Sequence, residues 1–371
     1  MSRYRELEVD ELTNRCRCEE LGFQTTEELE PLDGIIGQER AVSAMEFGLT
    51  IKREGYNIFV AGLTGTGRSS YTRSIAKKIA ETEKTPEDWC YVYNFRNPDR
   101  PIAINLPSGT GNTFVKDMKK LVKMLRMKIP KAFEGEEYEK QKSEILQAFQ
   151  DESSDIEEKS YIVQKKLMEY LKQVRDMEKS ARDKVEQLEG KIALITVEQP
   201  VRELIEKYSE FKNVVSYLKA VQKDMIQNIE DFRKTDKKKE EEIDILEKIN
   251  AKDFTLKYKV NPIIDNRETK GAPVVFEPHP KYYNLLGRID YESNMGVVTT
   301  DFTKIKPGSI HAANGGYLII NMSDIAKSPE SWDGLKRALK NKSIAIENIF
   351  TNTGLVSGGL KPEPIPLNLK P

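Results

Sequence analysis

Between Tyr56 and Ser70 the chain reads Tyr-Asn-Ile-Phe-Val-Ala-Gly-Leu-Thr-Gly-Thr-Gly-Arg-Ser-Ser, and apolar residues then recur at helical spacing at Tyr71, Ile75 and Ile79. The short apolar run Ile58, Phe59, Val60 predicts a buried parallel strand. Gly62, Gly65 and Gly67 follow at once. A strand, a glycine-rich turn and a helix N-terminus together make an anion site, because unpaired backbone N–H groups converge on a phosphate. The spacing G-x-x-x-x-G-x-S fits a P-loop, with Arg68 where the motif calls for Lys. Arginine keeps the charge and can fork onto phosphate, but it is longer and planar and is no equivalent of lysine. The expected nucleotide contacts are Gly62, Leu63, Thr64, Gly65, Thr66, Gly67, Arg68, Ser69 and Ser70.

A second apolar strand is expected at Tyr317–Ile320, after Gly315-Gly316, and it ends in Asn321-Met322. In P-loop NTPases the partner strand ends in an acid that holds Mg²⁺ through water, often followed by a glutamate that orients the attacking water. Asn321 brings no charge and Met322 cannot orient a nucleophile. Asp324, three residues on, would need a changed backbone path to substitute. ATP, weakly held, is therefore the expected cofactor; Mg²⁺ is left open and fast hydrolysis is not expected. Other catalytic constellations are thin. His279 sits between two prolines and reads as a loop residue, and His311 reads as a structural histidine beside the Gly-Gly strand entry.

At 371 residues the chain has room for two or three domains. Lys+Arg of 59 against Asp+Glu of 60 gives a net charge of −1. That balance argues against nucleic acid as the main partner. Cys16, Cys18 and Cys90 form no disulfide framework, and Cys16-x-Cys18 has no second pair to complete a zinc site, so no metal is assigned. No N-terminal apolar leader and no apolar run near the length of a membrane span is read, which makes the chain an expected cytoplasmic protein without a membrane partner.

Residues 1–30 are polar with helical tendency, and an amphipathic helix is expected after Gly37 through Met45, Phe47 and Leu49. Cys90–Tyr93 predicts a strand, and Ile102, Ile104 and Leu106 alternate as an edge strand or hairpin arm. Pro107–Gly111 reads as a turn. From Phe114 to about Phe232 the pattern is helical throughout. Leu167, Leu171, Val174, Ala181, Val185, Leu188 and Ile192 form a heptad seam with Glu178 as its polar lapse. Pro200 is expected in the first turn of a new helix. Val214, Leu218, Val221, Met225, Ile229 and Phe232 repeat the seam, and Lys234–Glu242 reads as a solvated linker. Strands are expected again at Leu256-Tyr258-Val260, Ile263-Ile264 and Val274–Phe276. A helix is expected from Pro329 through Leu339, and Pro362–Pro371 reads as the approach to a further strand.

These words together resemble the AAA+ part of Lon-like ATP-dependent proteases (peptidase family S16). The resemblance is carried by Ile36–Ala41, Tyr56–Ser69, Asn94-Phe95, Leu106-Pro107, Asp265-Asn266, Gly271–Val275, Leu286–Ile289 and Ala313–Leu318. It points to the divergent branch with a helical insertion inside the ATPase core. It implies an α/β fold: an incomplete P-loop AAA+ parallel sheet interrupted by a long, coiled-coil-like helical insertion. The implied segments are 1–30, an N-terminal stretch; 31–112, the first part of the nucleotide-binding core; 113–250, the insertion; and 251–371, the second part of the core. By resemblance Ile35 and Ile36 lie beside adenine, and Asn321 and Met322 occupy altered magnesium and water-positioning sites. The family's activity is proteolysis of protein substrates by a C-terminal Ser–Lys domain on a homo-oligomeric, hexameric ring.

The family sheet has strand order 5-1-4-3-2, and the sequence reaches Ile365–Leu369 where strand 4 would begin. The expectation is thus an N-terminal, truncated part of a Lon-type protease, with no peptidase activity of its own and weak or no ATPase activity. The alternatives are a non-enzymatic nucleotide-fold scaffold and an SMC/ABC-like ATPase. The latter lacks its signature motif and its acid after the last strand.

Overall fold

The computed structural model describes residues 5, 7–13, 21–29, 38–51, 55–63, 65–160, 167–237, 253–294, 297–347 and 359–370. It divides into two compact units, Met1–Ile75 and Ala76–Pro371. Cys16, Cys18, Ile35, Ile36, Thr64 and most of the charged run after Lys237 lie outside the described residues.

In the first unit the helical tendency of the N-terminal stretch yields, among the described residues, only two 3-10 turns, Val9–Leu12 and Thr26–Glu28. Helix α1 (Glu39–Thr50) buries Met45 and Leu49 on one face, as its apolar spacing predicts, while Phe47 stays 65% exposed. Ile58 packs against α1 at Gly48, where a Cβ would come within 3.0 Å of its Cδ1. The run Ile58–Val60 is not a strand, and this corrects the sequence reading. A parallel strand exists only through its ladder, none of the described strands pairs with this run, and Phe59 is 75% exposed. Helix α2 (Arg68–Ala80) starts directly after the glycine turn.

The second unit has three packed regions. Strand β1 (Asp88–Val92) pairs antiparallel with β2 (Ile102–Leu106), and the expected edge strand is present. Helix α3 (Thr110–Phe133) follows; its first turn takes in Thr110 and Gly111, so the turn read from Pro107 to Gly111 is shorter than expected. Its positions 114, 118, 121, 125 and 129 are all buried, a 3.6-residue stripe. Helices α4 (Glu136–Ser160), α5 (Leu167–Lys207), α6 (Lys212–Gln227) and α7 (Ile229–Lys237) complete a bundle. The seam Val214, Leu218, Val221, Met225, Ile229 and Phe232 is buried throughout, as the sequence predicts. The α5 seam from Val174 to Ile192 is only half-buried, and the Leu167 and Leu171 side chains lie outside the described residues. Pro200 does not begin a helix. It lies inside α5 and is buried beside Val197 and Val201. Burial of that stretch offsets the roughly 3 kcal/mol that an interior proline costs a helix.

Leu256 and Tyr258 do not alternate on a strand either. Asp253 accepts the Thr255 N–H and caps a 3-10 helix, Phe254–Tyr258, and strand β3 (Val260–Ile264) begins only beyond it. Strand β3 pairs with β1 on the side opposite β2, so β1 is central, with Cys90, Tyr91 and Val92 at 0% exposure. Cys90, Val92, Ile104 and Leu106 share one apolar cluster with α3, α5, α6 and α7.

The remaining elements are β4 (Val274–Glu277), α8 (Tyr282–Leu286), β5 (Arg288–Ile289), the hairpin β6 (Glu292–Asn294) and β7 (Val297–Thr299), and β8 (Ile305–Lys306). After them come α9 (Ser309–Ala312), β9 (Tyr317–Ile320), α10 (Met322–Ile325), α11 (Pro329–Asn341), β10 (Ser343–Ile344) and β11 (Ile365–Pro366). Strands β4 and β9 form the parallel pair, Val274 beside Tyr317. Gly316 enters β9 with no room for a side chain: a Cβ would lie 2.1 Å from the Pro273 carbonyl oxygen.

The stretch 360–370 stitches these regions together. The Lys361 and Glu363 N–H groups donate to the Asp99 and Pro101 carbonyls, and the Glu363 carboxylate accepts the Ala103 N–H at 3.0 Å. The Tyr91 hydroxyl donates to the Glu363 carbonyl at 2.7 Å. Strand β11 then pairs with β10, and Lys370 forms a parallel bridge with Tyr317, so this stretch flanks β9 opposite β4.

Candidate functional site

The glycine turn contains two glycines in left-handed backbone. Gly65 and Gly67 have φ of +89° and +76°, a left-handed region open to glycine at no steric cost. Thr66 folds the turn by donating its hydroxyl to the Leu63 carbonyl at 2.8 Å. The Tyr71 N–H then donates to the Gly67 carbonyl at 2.9 Å, which opens α2. Amides at the start of this helix carry the positive end of its dipole. Residues 65–70 are exposed, and the Arg68 stem lies over the loop, its Cδ 3.4 Å from where a Gly62 Cβ would be. Ile35, Ile36 and Thr64, expected beside the turn, lie outside the described residues.

Asn321 and Met322 are in the second unit, at the carboxyl end of β9. The Asn321 side chain caps α10: its Oδ1 accepts the Ser323 N–H at 3.2 Å and the Ser323 hydroxyl at 3.0 Å. Met322 is 40% exposed. Asp324 is held by Lys327 at 3.1 Å. An oxygen spent on capping, with no charge behind it, does not fit a magnesium site. Among the described residues no group of three or more His, Cys, Asp or Glu could hold a metal ion.

His279 is exposed, its N–H donating to Glu277. His311 is fully buried; its Nδ1 accepts the Gly308 N–H at 3.2 Å, and its Nε2 has no partner. Burial alone pushes its pKa down to about 3. It is buried as a structural histidine would be, but it is not the satisfied one expected, since Nε2 is unpartnered. The Cys90 thiol is likewise pushed up to about 12 by burial, which leaves it unreactive.

Two structural anchors were not legible beforehand. Asp88 is wholly buried and accepts the Gly111 N–H at 2.9 Å and the Asn266 N–H at 2.8 Å. It joins β1, the start of α3 and the end of β3; burial raises its pKa although those two N–H groups oppose the shift. Asn314 donates to the Pro366 carbonyl at 2.8 Å and accepts the Asn368 N–H at 2.9 Å, fixing the 360–370 stretch beside β9. The only advance signals were their words, Asp265-Asn266 and Ala313-Asn314-Gly315-Gly316.

Residues 270–370 match the model of the LonB-like AAA domain family, and residues 88–121 match that of the Lon-like LonC helical domain. Both matched families are Lon-like, and the two segments support a Lon-like AAA+ relationship for the chain. The first match takes in β4, β9, Asn321 and the 360–370 stretch. The second takes in β1, β2 and the first half of α3. The glycine turn at Gly62–Ser70 lies outside both matched segments. No curated protein matches the chain. An AAA domain family implies ATP binding and suggests oligomeric assembly in general terms. Among the described residues no helix is long and apolar enough to cross a membrane.

Proposed function

We propose that this chain is the nucleotide-binding module of a Lon-type ATP-dependent serine protease, holding ATP weakly and turning it over slowly or not at all. The observation that carries the reading is Asn321. It stands at the end of β9, where the resemblance places the magnesium acid, and it serves as a helix cap. Gly62, Leu63 and Gly65–Ser70 are the proposed phosphate contacts, with Arg68 replacing the lysine charge; Ile35, Ile36 and Thr64 complete the proposed set. No peptidase chemistry is assigned to residues of this chain. Protein substrates, a homo-hexameric ring and a cytoplasmic setting are proposed with the reading, and the helical insertion is proposed to filter substrates at the ring entrance.

The test is titration of a fluorescent ATP analogue with and without Mg²⁺, beside casein degradation. Weak binding that ignores Mg²⁺, without casein cleavage by this chain, is the expected result. Tight magnesium-dependent binding with rapid turnover would overturn it. Absence of any binding would favour a second reading, a nucleotide-fold scaffold, to which the altered Arg68 and Asn321 also point. Deleting residues 134–232 in a protein competent for proteolysis should alter degradation of folded substrates if the insertion is a filter.

A further inference from the structure

Helices α3 and α4 run one after the other along α5. Near one end Asp117 on α3 meets Lys207 and the Tyr208 hydroxyl, at 2.5 and 2.7 Å. Further along, the Tyr138 hydroxyl on α4 meets Glu189 at 2.8 Å. Both helices turn most of their apolar residues to the bundle, Met127 and Leu146 being exposed, and the opposite faces meet solvent. Charge is largely segregated between the two helices, with Lys140 exposed inside the acidic row of α4. Helix α3 has seven basic residues and one acid. Helix α4 has nine acids and three basic residues.

On α3, Lys116, Lys119, Lys120, Lys123 and Lys131 are exposed along the face opposite the buried stripe, and none has an ion-pair partner among the described residues. Lys116, Lys119, Lys120 and Lys123 include pairs three and four apart, so like charges repel within the helix. The same row includes Met127, 55% exposed. On α4, Glu137, Glu144, Asp151 and Glu152 are exposed and likewise have no ion-pair partner among the described residues. Lys116–Lys131 and Glu137–Glu152 each cover about 22 Å at the α-helical rise.

We propose that two copies of this chain associate through these helices, α3 of each against α4 of the other, antiparallel about a two-fold axis near Glu134-Gly135. A self-complementary patch of this kind is what an isologous dimer requires. The axis brings Lys131 toward Glu137 of the second copy, Lys123 toward Glu144, and Lys116–Lys120 toward Asp151 and Glu152. Each match occurs twice by symmetry. The exposed Met127 inside the lysine row favours a protein partner over a polyanion. Charge pairs at a solvated surface are weak singly, so the dimer is salt-sensitive.

The inference does not depend on nucleotide, which separates it from ring assembly. Sedimentation velocity over a concentration series tests it, at about 0.1 M and about 1 M salt, where screening lengths are about 10 and 3 Å. A dimer that weakens about tenfold or more at the higher salt is expected. Reversing α3 (K116E, K119E, K120E, K123E) or α4 (E144K, D151K, E152K) should each abolish it. Both sets in one chain should restore it, a rescue that misfolding cannot imitate; helix content by circular dichroism is followed for each variant. A chain that stays monomeric at low salt overturns the proposal, as does a dimer indifferent to both reversals. Heparin binding lost on α3 reversal, without self-association, would assign the lysine row to a polyanion and equally overturn it.

Discussion

The buried imidazole of His311 makes stability depend on pH in a direction that can be calculated. In the unfolded chain it titrates near 6.5; in the fold its pKa is pushed down to about 3 by burial. The folded state therefore takes up this proton later, so stability is full above about pH 6.5 and is lost as pH falls toward 3. Between pH 8 and pH 5 the linkage relation gives a loss of about 2 kcal/mol from this one group. Protonation would also oblige Nδ1, which accepts the Gly308 N–H, to become a donor facing a donor. The assay is urea unfolding by circular dichroism at both pH values, for the native chain and for His311→Asn, which cannot titrate. Asp88, whose folded pKa is raised, moves stability the opposite way over an acid range, but it is common to both proteins and cancels in the comparison. A native chain that loses no more than the Asn variant would refute the reasoning.

Three further outcomes are expected. Asn314→Ala removes two part-buried hydrogen bonds to the 360–370 stretch; a loss of about 1 kcal/mol is expected in denaturant unfolding, with faster amide exchange at Leu318 and Lys370. Gly316→Ala puts a methyl group 2.1 Å from the Pro273 carbonyl oxygen; a loss of about 3 kcal/mol or failure to accumulate folded protein is expected, scored by thermal melting. Arg68→Lys combined with Asn321→Asp restores both charged positions of the P-loop pattern; tighter binding of the ATP analogue, now strengthened by Mg²⁺, is expected in the same titration.

What the sequence revealed followed from how local each signal was. Periodicity located the seam from Val214 to Phe232 because a helix face is decided within its own turns. The glycine turn was legible for the same reason, since Gly65 and Gly67 mark left-handed backbone whatever surrounds them. Ile58–Val60 misled because apolar residues state a preference for burial, while a strand needs a ladder from elsewhere in the chain. Pro200 misled because packing of α5 overrode an intrinsic preference. At Leu256 and Tyr258, alternation lost to the local capping by Asp253. Asp88 and Asn314 were silent because their partners, Asn266 and Pro366, are remote in sequence, and no single residue type announces such a bond.

The central position of β1 has a consequence for synthesis. Strands β1 and β2 emerge early, but β3 follows only after the whole helical bundle, and Glu363 reaches the edge of β2 later still. At ~5–20 residues per second, the interval from Leu106 to Val260 is on the order of ten seconds to half a minute. During that time one side of β1 offers unpaired backbone while apolar side chains await cover. Early packing of α3 against this hairpin would shield part of it, so the order of translation makes the first half of α3 the guardian of an unfinished sheet.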